Sequence, residues 1–168
     1  GLTCIIMQDF VCMKKKVLQN SFLTEAATLL KEGKSVRIRI NGESMFPFIR
    51  GGKDIVEIIP YHLKDPLKKW CCTFYEWNGH YMIHRYIGSN MEKCRMMGDG
   101  NLAQVEEVNR YEIIGILKAI YHPDGSIQEC NDPQWLRKAE YWYRLRKLRR
   151  FLIPLMKRFI KLLIRGLH

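Results

Sequence analysis

Ser35-Val36-Arg37-Ile38-Arg39-Ile40-Asn41-Gly42-Glu43-Ser44-Met45-Phe46-Pro47 is the stretch whose reading decides the fold. Apolar and charged residues alternate up to Ile40, which predicts a half-buried strand, and Asn41-Gly42 predicts a turn at its end. Ser44 follows at once. Pro47, three residues later, fits the first turn of a short helix. A serine at such a strand-to-helix corner sits among backbone N–H groups, the geometry that suits a nucleophile with an oxyanion site. From position alone, a serine that merely caps a helix is the commoner reading.

Outward from this corner the pattern is one of short strands. A helix is predicted over Ser21 to Lys31, apolar at 22, 23, 26, 27, 29 and 30 and stopped by Gly33. Strands are predicted at Ile55 to Ile59, Trp70 to Trp77 and His80 to Ile87, with Asn78-Gly79 as a hairpin turn between the last two. Cys94 to Met97, Val105 to Val108 and Ile113 to Tyr121 complete the set, and His122-Pro123-Asp124-Gly125 turns the last strand. Many short strands joined by Gly/Asn turns imply a mainly β fold, a β-rich α+β domain.

At 168 residues the chain is long enough for one domain with an appendage, and 47% hydrophobic residues can build a core. No run of 18 apolar residues occurs, so no transmembrane helix is expected. The apolar stretch at the N-terminus precedes Lys14-Lys15-Lys16, the reverse of a secretory signal, and roughly the first dozen residues carry no fold expectation. Six cysteines stand at 4, 12, 71, 72, 94 and 130. Their spacing fits neither a disulfide framework nor a zinc site, and implies reduced, buried thiols of a cytosolic protein. No metal or other cofactor is expected.

The net charge of +11 is concentrated at one end. Pro133 to His168 holds eleven Lys/Arg against one acid, Glu140, a balance of +10 that leaves +1 for the rest. Asp132-Pro133 is a helix start, with a capping acid before proline at the first helical position. Trp135, Ala139, Trp142, Leu145, Leu148 and Leu152 recur at helical steps. Pro154 is expected to divide a helix of about twenty residues from one of about a dozen. Two units follow: a body over 13–131 and a basic amphipathic tail over 132–168. Such a tail suits an anionic membrane surface, and a second copy of the chain could also cover its stripe. The stripe is too continuous for a nucleic-acid arm, and no nucleic-acid partner is expected.

Three motifs carry the chemistry: Gly42-Glu43-Ser44-Met45-Phe46-Pro47 leading to Gly51-Gly52-Lys53-Asp54-Ile55-Val56, then Met82-Ile83-His84-Arg85-Tyr86, then Gly98-Asp99-Gly100-Asn101. In this order they resemble the nucleophile, base and Gly-Asp-Asn boxes of type I signal peptidases, a superfamily shared with self-cleaving SOS-repressor peptidases. The resemblance covers roughly residues 22–121, and the histidine matches the endoplasmic-reticulum-like branch rather than the bacterial lysine enzymes. It implies a signal peptidase-like antiparallel sheet and a serine endopeptidase. Ser44 would be the nucleophile, His84 the general base and Asp99 the group that orients His84. Gly42, Ser44 and Met45 would supply the substrate-binding and oxyanion corner. Departures are Lys53 where the family has glycine, Gly100 inserted in the third box, and Gly42 where many members place a serine. Without the resemblance, His84 also reads as a structural strand histidine, and Asp99 as the acid of a common turn.

The expected substrate is an extended precursor or leader peptide laid along a strand edge, cut at the membrane surface by a cytoplasmic, peripheral protein. The self-cleaving repressor reading is weaker, because the chain has no Ala-Gly or Cys-Gly pair to cut. The other reading is a catalytically silent protein that keeps the peptidase fold and binds peptide or membrane.

Overall fold

The computed structural model describes residues 4–6 and 15–166. Cys12, Lys14, Leu167 and His168, which entered the sequence reading, lie outside the described residues. The fold is β-rich, a nine-stranded sheet with one helix before its main strands and helices at the C-terminal end. Helix α1 spans Lys15–Lys31 and ends at Gly33, whose φ of 82° suits a helix-terminating glycine. Strands β2 (Val36–Arg39) and β3 (Ile55–Pro60) flank the corner that carries Ser44. Strands β4 (Cys72–Trp77) and β5 (His80–Asn90) form the hairpin that Asn78-Gly79 signals, both turn residues having positive φ. Strands β6 (Lys93–Met97), β7 (Glu106–Asn109) and β8 (Ile113–Tyr121) follow.

The sheet order is β1-β2-β3-β8-β4-β5-β6-β7, with β9 (Ile127–Glu129) on β8. Every pairing is antiparallel except that of β1 (Cys4–Ile6) with β2. Neither β1 nor β9 is evident in the sequence. Each is three residues long, too short to display alternation. Ala26, Ala27 and Leu30 of α1 pack on Val36, Ile38, Val56, Ile58, Phe74 and Leu117 to form the main core. A second cluster joins Tyr61, Tyr75, Cys94, Met96, Val108 and Ile113. Cys71, Cys72, Cys94 and Cys130 are free and buried, as the spacing implied.

Helix α2 (Pro133–Arg144) starts as read: the Asp132 carboxylate accepts from the N–H groups of Gln134 and Trp135, a cap contributing about 1 kcal/mol. The helix break is not where proline predicted it. A 3₁₀ turn at Arg146–Leu148 interrupts the tail, and Pro154 lies within α3 (Arg149–Arg165). Pro154, in the second turn of α3, forgoes one ladder bond without ending the helix. Burial of Trp142 and Arg149 against the body, on either side of the 3₁₀ turn, fixes the break instead. Among the described residues no helix is long and apolar enough to cross a membrane.

Candidate active site

The corner after β2 is built by close backbone contacts. Gly52 N–H donates to the Ile40 carbonyl at 2.7 Å. A Cβ on Gly51 would lie 1.8 Å from the Gly42 carbonyl oxygen, so only glycine fits there. Residues 44–48 form consecutive turns rather than the expected short helix, with a cis peptide between Phe46 and Pro47. Ser44 is exposed and Met45 buried beneath it. Carbonyls of Glu43, Ser44 and Met45 are taken by the N–H groups of Phe46, Gly100 and Ile49.

Lys53 is exposed, whereas Asp54 is fully buried. Its carboxylate accepts from Arg50 N–H at 2.7 Å, the Arg50 guanidinium at 3.1 Å and His122 Nδ1 at 2.9 Å. Burial pushes its pKa up, but these hydrogen bonds and the Arg50 charge outweigh it and hold the carboxyl below its ordinary value. Asp54 thus braces the end of the corner.

Ser44 and His84 line one cavity of about 180 Å³, whose other walls are Phe22 and Leu23 of α1, Ile38 to Asn41 at the end of β2, and Tyr81 to Ile83 of β5. Arg39 reaches this cavity and is exposed. Among the described residues no hydrogen bond joins the Ser44 hydroxyl to His84. The structure therefore brings Ser44 and His84 to one cavity, with Gly42 and Met45 beside Ser44 along the chain, and His84 is only 2% exposed.

Asp99 does not orient His84. Its carboxylate accepts two bonds from Arg85, from Nε at 2.7 Å and from Nη2 at 2.6 Å. Successive side chains of a strand point to opposite faces, so a carboxylate that clamps Arg85 lies across β5 from the His84 ring. Arg85 also donates to the Trp70 carbonyl and stands over the Phe48 ring, 4.8 Å from its centroid. Burial would lower the Arg85 pKa, but the Asp99 charge outweighs it, so the guanidinium is held firmly charged.

The group that holds His84 is Glu106. Its Oε2 lies 2.9 Å from His84 Nδ1, and Gln104 Nε2 donates to Oε1 at 2.8 Å. Tyr75 completes the cluster, its hydroxyl 3.0 Å from Nδ1 and 3.3 Å from Glu106 Oε2. Burial, reinforced by the Glu106 charge, raises the Tyr75 pKa, so the phenol keeps its proton. With Tyr75 donating to an acceptor-only carboxylate, the consistent tautomer carries its proton on Nδ1. The Nε2 lone pair is then free to accept a proton. Sequence reading missed Glu106, although a signal existed. Glu106 alternates with Val108 on the inward face of β7, and both are fully buried. An acid at a core-facing strand position requires a partner.

The Gly98–Asn101 turn packs against the Ser44 corner. Gly100 N–H donates to the Ser44 carbonyl at 2.8 Å. A Cβ on Gly100 would lie 2.3 Å from the Glu43 carbonyl oxygen, so only glycine admits this approach. Among the described residues no cluster of three metal-binding side chains is found.

A scan against protein-family models and a search of curated proteins each found no match to this chain.

Proposed function

We propose that the chain is a serine endopeptidase with a Ser44–His84–Glu106 site of the signal peptidase I type. The observation that carries this reading is the buried Glu106 carboxylate on His84 Nδ1, in a cavity that also holds Ser44. His84 Nε2 takes the Ser44 proton as Oγ bonds to the peptide carbonyl carbon. N–H groups of Ser44 and Met45 stabilise the resulting oxyanion. Collapse breaks the C–N bond, and the proton passes from Nε2 to the leaving amine. Water then releases the acyl group by the same steps. Asp99 supports the site through Arg85 without taking part in proton transfer. The apolar walls from α1, β2 and β5 suit an extended precursor or leader peptide with apolar side chains.

The tail directs this activity to an anionic membrane surface. On α3, Phe151, Leu155, Phe159 and Leu162 form an exposed apolar ridge, flanked by exposed Arg158, Lys161 and Arg165. Apolar ridge beside cations is the complement of a lipid interface. The charge alone would fit nucleic acid, and the ridge supports the lipid surface instead.

A silent peptide-binding protein is the second reading, favoured by the missing Ser44–His84 hydrogen bond, though such bonds often tighten only around substrate. A fluorescent phosphonate separates the two. The peptidase reading expects covalent labelling of full-length protein that Ser44→Ala abolishes. Absence of labelling, together with no turnover across a peptide library, favours the binder.

A further inference from the structure

The C-terminal tail reaches the nucleophile corner along two routes, and neither follows from the tail being a membrane anchor. The first runs through the Gly98–Asn101 turn. Arg149 Nη1 donates to the carbonyls of Gly98 at 3.0 Å and Asn101 at 2.9 Å. Trp142 Nε1 donates to the Asp99 carbonyl at 2.7 Å. The tail thus holds three carbonyls of this turn, and the N–H of its remaining residue, Gly100, holds the Ser44 carbonyl. Arg149 is 1% exposed, and desolvation disfavours its charge. The carbonyls that surround this buried cation offset part of its desolvation cost, and their bonds hold the turn to the tail. The second route is direct. Two turns along α3, the Lys157 ammonium pairs with the Glu43 carboxylate and stands 5.4 Å from the centroid of the Phe46 ring. Glu43 and Phe46 bracket Ser44.

From this convergence we infer that Arg149 and Lys157 are positioning residues for Ser44: α3 sets the nucleophile corner from beneath and from the side. The inference rests on reading Ser44 as the nucleophile. The Gly98–Asn101 turn is then the shared part, bonded to the tail by its carbonyls, to the corner by Gly100 N–H, and to β5 by the Asp99 carboxylate on Arg85, the neighbour of His84. Detaching α3 loosens the corner while leaving His84, Glu106 and Tyr75 in place.

The test uses full-length protein, with phosphonate labelling rates and amide hydrogen exchange at Phe46 and Gly100 read side by side. Arg149→Gln is expected to slow labelling roughly ten- to a hundredfold, the scale of a small misplacement of reacting groups. It should also speed exchange at Gly100. Arg149→Lys, which keeps donors for the carbonyls, should recover part of both. Lys157→Glu, an exposed change that spares the core, should slow labelling about two- to fivefold. The charge swap Glu43→Lys with Lys157→Glu should restore it, a rescue that a general loss of stability would not give. Unchanged labelling and unchanged exchange in Arg149→Gln and Lys157→Glu overturn the inference. If Arg149→Gln does not fold, the Lys157 pair decides alone. If wild type itself is never labelled, the nucleophile reading fails, and the exchange rates still decide whether α3 positions the corner.

Discussion

Glu106→Gln is the substitution that separates the observed site from the one the sequence suggests. Gln104 donates to Oε1, which keeps the new amide oxygen on that side and turns the NH₂ group toward His84 and Tyr75. An amide N–H facing Nδ1 needs an acceptor, so the imidazole proton moves to Nε2. Nε2 can then no longer accept from Ser44. Amide replacement of the orienting carboxylate in a serine triad costs about 10⁴ in turnover, and we expect ~10³–10⁴ here. At 1.36 kcal/mol per tenfold, that corresponds to about 4–5.5 kcal/mol of transition-state stabilisation. The change is isosteric and takes only the carboxylate acceptor from the Tyr75 hydroxyl, so unfolding free energy should fall by no more than about 1–3 kcal/mol. The assay compares phosphonate labelling and peptide turnover with urea unfolding for wild type, Glu106→Gln and Asp99→Asn. Asp99→Asn should act mainly on stability. Glu106→Gln within tenfold of wild type, with Asp99→Asn inactive yet equally stable, would refute the assignment.

Arg85→Met strands the buried Asp99 carboxylate, and urea unfolding should record a loss of about 3–5 kcal/mol. Asp54 has a folded-state pKa below its ordinary value of 3.8, so its stabilising contribution is full above that value and declines as pH falls beneath it toward the folded pKa. Asp54→Asn should therefore flatten the acid limb of stability against pH, and an unchanged limb would count against the Arg50 and His122 bracing. Burial pushes the Cys71 and Cys72 thiols up, to about 12 and about 11, so neither should be alkylated at pH 8 before unfolding, as peptide mass mapping would reveal. Leu155→Glu with Phe159→Glu should weaken binding to phosphatidylglycerol vesicles at least about tenfold. Undiminished vesicle binding, or RNA binding with a steep salt dependence, would discard the membrane reading.

What the sequence determined by itself was local. Alternation placed β2, short apolar runs ended by turns placed β3 and β8, Asn78-Gly79 placed the β4–β5 hairpin, and Asp132-Pro133 placed the start of α2. These are signals of period and backbone chemistry, readable without knowing any neighbour. The chain also displayed Ser44 and His84, the two members of the candidate site that stand within recognisable motifs. The orienting acid required the tertiary structure. Asp99 and Glu106 are both acids near turns or strands, and the strand face on which each meets β5 decides between them. Arg85 captures Asp99 on one face, which leaves Glu106 to His84 on the other. The helix break at 145–148 is likewise tertiary, because proline chemistry points to Pro154 while burial of Trp142 and Arg149 against the Gly98–Asn101 carbonyls fixes the bend. Charge and periodicity described the tail as an amphipathic helix. Only long-range contacts, 43 residues apart for Trp142 and 114 for Lys157, connect it to the serine.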